Sequence, residues 1–151
     1  MEPYYRKDTH GLLGIQQPPD EVVLSIAHGV MIIAAADGEL STAERDELVG
    51  MLLALGVAPT LVDRLRDFNP VGKNIEDFIP PAFSPFARSF IYDAVKVARI
   101  DGYAEQERQA VRRVGKILGV TEEVIAQIEG LLDVEASLRT FRIQLLRGVR
   151  A

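Results

Sequence analysis

Apolar residues recur along this chain at steps of three and four, the period of helices that bury one face. Leu48, Met51, Leu52 and Leu55 follow Ser41-Thr42-Ala43-Glu44. That tetrapeptide is a capping box: the serine hydroxyl accepts from the Glu44 amide while Glu44 reaches back. Val22 to Ala36 is apolar almost throughout, interrupted by Ser25, His28 and Gly29. It is too short to span a bilayer and predicts a largely buried helix from an Asp20 N-cap to about Ala36, stopped at Gly38. Pro59 to Phe68 predicts a shorter helix with Leu61, Val62, Leu65 and Phe68 inward. Ser84-Pro85 opens the next, which carries Phe86, Phe90, Ile91 and Val97 and ends at Gly102. Glu105 to Leu118 repeats Val111, Val114 and Leu118; Thr121 caps a helix through Leu132; a last one runs from about Val134 to Val149, its apolar seam formed by Leu138, Phe141, Leu145 and Val149. Met1 to Gln17, with Tyr4, Tyr5, Leu12, Leu13 and Ile15, reads as a short helix or packed arm. No period-two run bounded by turn residues survives. The fold class is all-α, a compact bundle of seven to eight helices.

The pattern also says nearly the same thing twice. Ile33-Ala34-Ala35-Ala36-Asp37-Gly38 returns as Val97-Ala98-Arg99-Ile100-Asp101-Gly102. Glu44-Arg45 returns as Glu107-Arg108, and Leu55-Gly56-Val57 as Leu118-Gly119-Val120. Asp37 and Asp101 are offset by 64 residues, Glu44 and Glu107 by 63, so the second turn is one residue shorter. Two pseudo-symmetric halves are the expected architecture. One domain over 1–151 divides into an arm (1–19), a first half (20–68), a proline-rich connection (69–85), a second half (86–132) and a C-terminal helix (133–151).

Composition narrows the chemistry. A chain of 151 residues, 48% hydrophobic and 26% charged, is a folded single domain rather than a disordered one. The absence of cysteine removes disulfides, thiolate metal sites and thiol nucleophiles, and two histidines make a histidine-rich zinc site improbable. A net charge of −5 argues against nucleic acid as the partner. The polar, mixed-charge start from Met1 to His10 has no signal-peptide character, so the expected location is cytoplasmic. There is no glycine-rich phosphate loop, no nucleophile elbow and no histidine beside an acid in a motif, so no enzyme is expected.

Ala36, Asp37, Gly38, Ser41, Glu44 and Gly56, with Ala98, Asp101, Gly102, Glu107, Gly119 and Val120, resemble the motif of the TerB-like family. Its members include tellurite-resistance protein TerB and the N-terminal region of certain membrane-anchored J-domain co-chaperones. The resemblance covers about residues 20–132 and implies a helical bundle of two such halves, with a tellurite- or stress-related role and acidic turns suspected of binding metal. Ala104 stands where the first copy has its capping serine and cannot cap through its side chain.

Each candidate has a functional reading and a structural one. Asp37, Glu39 and Glu44, with Asp101, Glu105 and Glu107, offer hard oxygen ligands for Ca²⁺ or Mg²⁺ if the two turns meet, although the spacing is not that of an EF-hand. The same residues serve equally as helix caps and turn acceptors. Arg45 and Arg108 are expected to pair with acids such as Asp37 and Asp101. His28 reads as a core histidine with one nitrogen satisfied. Arg139, Arg147 and Arg150 share a face of the last helix, suited to an acidic protein partner or a peripheral anionic membrane surface, or to simple solvation. The alternative to an ion-binding domain is a protein-interaction module, partner unknown, that uses the proline-rich connection or this basic helix.

Overall fold

The computed structural model describes residues 19–79 and 81–147, with backbone alone for 81–83. Six α-helices appear in order: α1 (Asp20–Ala34), α2 (Thr42–Ala54), α3 (Pro59–Arg66), α4 (Ala87–Ala98), α5 (Glu105–Leu118) and α6 (Glu122–Arg147). Two 3₁₀ turns, Ile75–Phe78 and Pro81–Phe86, form part of the connection between α3 and α4. No strand occurs among the described residues, and no described helix is long and apolar enough to cross a membrane.

Among the described residues six α-helices stand where the sequence predicts seven, because the last two predicted helices are one. Between Leu132 and Val134 nothing stops the chain: there is no proline and no cap, and the one nearby glycine, Gly130, lies within the helix. A single interior glycine costs about 1 kcal/mol relative to alanine. Contacts on the C-terminal side offset that cost, since Leu132 is buried, Asp133 pairs with Arg99 at 2.6 Å and Glu135 accepts from the Tyr92 hydroxyl at 2.6 Å. Smaller boundary differences have equally local causes. Pro19, not Asp20, occupies the N-cap of α1, and no side chain caps it. The segment at Ser84-Pro85 is 3₁₀ rather than the start of α4. The arm 1–18 lies outside the described residues.

The core is built on α1 against α4. Ala27, Val30, Met31 and Ile33 from α1 meet Phe90, Ile91, Ala94, Val95 and Val97 from α4, all fully or nearly fully buried. Burying side chains of this size stabilises by roughly 1.5–3 kcal/mol each. Gly29 permits the close approach: a Cβ there would lie 2.8 Å from Phe90 Cε2 and 3.3 Å from Ile75 Cδ1. α2 packs on α3 and α4, while α5 packs on α4, α1 and α6. Each repeat copy is thus helix, Asp-Gly turn, helix. Leu48, Leu52, Val62, Leu65, Val111 and Val114 are buried as their spacing predicts. Leu138, Phe141 and Leu145, the described members of the seam predicted for the last helix, are instead exposed, on a side of α6 that the other described helices leave uncovered.

Gly29→Ala forces Cβ into the Phe90 ring and is expected to destabilise by about 1–3 kcal/mol, the range for an overpacked core. Gly50→Ala meets open space on α2 and is expected to stabilise by about 0.5–1 kcal/mol. Urea unfolding of the two variants beside the parent chain checks both signs.

Candidate functional site

The two Asp-Gly turns lie side by side and enclose one pocket of about 360 Å³. The first turn leaves α1 through Gly38, whose φ of +108° suits glycine and few other residues. Asp37 Oδ1 accepts from the Glu39 amide at 3.1 Å, which holds the carboxylate over the turn. Ser41 then caps α2 as its sequence predicts: its Oγ accepts from the Glu44 amide at 3.2 Å, and Glu44 Oε2 accepts from the Ser41 amide at 2.8 Å and its hydroxyl at 2.9 Å. Glu44 is only 1% exposed, and its other oxygen, Oε1, is buried without a hydrogen-bond partner.

The second turn keeps half of this arrangement. Gly102 again has positive φ, and the Ala104 amide donates to Glu107 Oε2. Without a hydroxyl at 104, nothing on the side chain accepts from the amide of Glu107. Glu107 is nevertheless 3% exposed, as buried as its counterpart. The shortened turn therefore retains the carboxylate geometry and loses only the serine.

Asp37, Glu39, Glu44, Asp101 and Glu107 all line the pocket, with Ser41, Gly102, Tyr103 and Ala104. Glu105, the sixth predicted acid, does not: it is exposed and accepts from Gln109 Nε2 at 3.1 Å along α5. No basic side chain lines this space. Burial pushes the Glu107 carboxyl up to about 7, and the charges of Glu44, Asp37 and Asp101 add to the rise against the opposing Ala104 hydrogen bond. Burial also raises Glu44; the Ser41 bonds oppose this, and Asp101 and Asp37 reinforce it. Like charges held in one pocket disfavour ionisation of the most buried members. Chemically, the pocket offers oxygen donors and negative potential. Among the described residues no three acidic or histidine side chains converge as a ready-made metal-ligand set.

The repeat arginines do not neutralise the acids as expected, because each is committed elsewhere. Arg45 Nη1 donates to the carbonyls of Leu65, Arg66 and Phe68 at 2.9–3.1 Å, closing the end of α3. Arg108 lies 4.1 Å above the Tyr103 ring and 3.9 Å from Glu129. The Tyr103 hydroxyl donates to Glu129 Oε1 at 3.0 Å, and Arg112 approaches the same carboxylate at 3.4 Å. This cluster ties the second turn to α6. Sequence reading gave it no role, since Tyr103 and Glu129 are 26 residues apart and belong to no motif. His28 is half-buried between the rings of Phe68 (4.3 Å) and Phe78 (5.7 Å), and burial, then Arg64, lowers its pKa. Arg139 and Arg147 are exposed on α6, outside the pocket, and Arg150 lies outside the described residues.

The pH dependence has a definite sign. Glu107 titrates higher in the native state than the ordinary 4.5, so the folded protein holds its proton more tightly than the unfolded chain does. Its contribution to stability is complete below pH 4.5 and is lost as pH rises toward about 7. In metal-free buffer, chemical denaturation is expected to show stability falling across that window, with a shallower fall in Glu107→Gln.

No protein-family model matches the chain, and no curated protein sequence matches it. Among solved structures, a tellurite resistance protein from Nostoc punctiforme PCC 73102 is 31% identical, with a TM-score of 0.77 over 90% of this chain and 86% of that one. Identity at that level over nearly the whole length of both chains goes beyond shared architecture, and it agrees with the doubled Asp-Gly motif whose turns form the acidic pocket. This chain belongs to the TerB-like tellurite-resistance family.

Proposed function

We propose that this chain is a non-enzymatic, cytoplasmic TerB-like domain of a tellurite or related stress response, and that its two Asp-Gly turns together take up one divalent cation. The two halves would then be copies of one ancestral unit, each supplying acids to the shared site. The observation that carries the reading is Glu44 Oε1, a buried carboxylate oxygen with no partner in a pocket lined by four more acids. A buried polar atom left unsatisfied costs roughly 1–3 kcal/mol, and a cation among these acids would remove that cost and relieve their mutual repulsion. Asp37, Glu44, Asp101 and Glu107 are the residues that would hold it, with Glu39 at the rim. All donors are hard oxygens, which suits Ca²⁺ or Mg²⁺. The bound ion would supply positive charge that locks the two helix–turn–helix units together. Stress signalling would follow from ion-dependent stability, since a ligand bound only by the native state raises that stability.

One observation favours a second reading. Glu44 already completes a capping box and Glu107 half of one, so both have structural employment without any ion. On that reading the domain is a protein-interaction module whose acids only set the turns.

Thermal unfolding in EDTA against millimolar Ca²⁺ and Mg²⁺ separates the two. Ion uptake predicts a rise of several degrees in the parent chain, absent from the Asp37→Ala, Asp101→Ala double variant. An unchanged midpoint in the parent chain, with the double variant merely less stable, would leave the acids as caps alone.

A further inference from the structure

α6 carries a second apolar face that the bundle does not use. Its first half turns Ile125 and Leu132 inward. On another side, Leu131, Val134, Leu138, Phe141 and Leu145 succeed one another at steps of 3, 4, 3 and 4 residues, and all five are exposed, Phe141 to 62%. At about 100° per residue they fall in a stripe roughly 80° wide, turned about 140° from Leu132. Leu146, 77% exposed, lies beyond this stripe on the same overhanging end.

A strict 3-4 alternation over two heptads is the seam of paired helices. We propose that α6 pairs antiparallel with α6 of a second copy of this chain, forming a two-fold homodimer centred on Leu138. Charge complementarity selects this occupant. Glu135 and Arg142 border the same edge of the seam, three residues before and four after Leu138. A two-fold axis at Leu138 sets each Glu135 near Arg142 of the other copy, so opposite charges meet twice. Glu135 is already held at that edge by the Tyr92 hydroxyl, 2.6 Å away. The opposite border is small or neutral: Gly130, Ser137 and Gln144. A groove of about 1050 Å³ between α2, α4 and α6 adjoins the seam through Leu138 and includes Gly50, Met51 and Ala54 of α2. A lipid surface fits less well, because Arg147 lies on the other side of α6 from the seam, Arg139 lines the groove beside α2 and α4, and the chain's net charge of −5 opposes an anionic membrane.

The chain has no cysteine, so single introduced cysteines report the pairing cleanly. Light scattering on the full chain at about 100 µM should give twice the 16.7 kDa protomer mass, and Leu138→Glu should return it to the protomer mass with the helical circular dichroism retained. Under mild oxidation Leu138→Cys should cross-link, being near the axis, and Leu131→Cys should not. Cross-linking of both variants would mean a parallel pair and overturn the antiparallel assignment. A monomeric parent chain would overturn the dimer. If Leu138→Glu then also lowered the melting temperature, the arm 1–18 would be the occupant; if the monomer bound phosphatidylglycerol vesicles, lipid would be.

Discussion

The close packing of α1 on α4 is the constraint on which everything else depends. Gly29 lets the Phe90 ring approach the α1 backbone, and the apolar faces of both helices then close over each other. Because each of these helices runs directly into an Asp-Gly turn, seating one against the other brings both turns to the same end of the bundle. The acidic pocket is a consequence of that docking. Neither turn encloses it alone.

That proximity costs electrostatic energy, which the local chemistry offsets only in part. Glu44 is held by three hydrogen bonds from or to Ser41, and Glu107 keeps the amide bond alone. The arginines next to both glutamates could have neutralised the pocket, yet one closes α3 and the other stacks on Tyr103. No basic side chain therefore balances the pocket, and its most buried carboxyls, Glu44 and Glu107, are pushed toward the protonated form. The glutamates that start α2 and α5 both line the pocket, so its charge acts directly on the N-terminal turns of those helices.

Much of this was legible in the sequence because it is local. The capping box at Ser41, the Thr121 cap (Val124 amide to Oγ1, 3.3 Å), the glycine turns and the buried faces of α2, α3 and α5 follow from spacing within one or two helical turns. The sequence repeat alone marks both acidic turns. What could not be read depends on distant partners. Glu107 has a local bond from the Ala104 amide, whereas the exposure of Glu105, two residues earlier on α5, depends on which face of that helix α1 and α4 cover. The partners of the repeat arginines are distant too: Arg45 finds carbonyls 20–23 residues away, and Arg108 finds its acid in Glu129 on α6. At Leu132 the helix continues where the sequence predicts two, and the apolar side beyond it turns outward.

The central claim is that Glu44 and Glu107 share one pocket and feel each other's charge. Carbon-13 NMR titration of the glutamate carboxyls, in the parent chain and in Glu44→Gln without metal, tests it most directly. A Glu107 titrating near 7 in the parent chain, and distinctly lower once Glu44 is neutral, is the result this account predicts. A Glu107 that titrates at the ordinary 4.5 and ignores the substitution would contradict it.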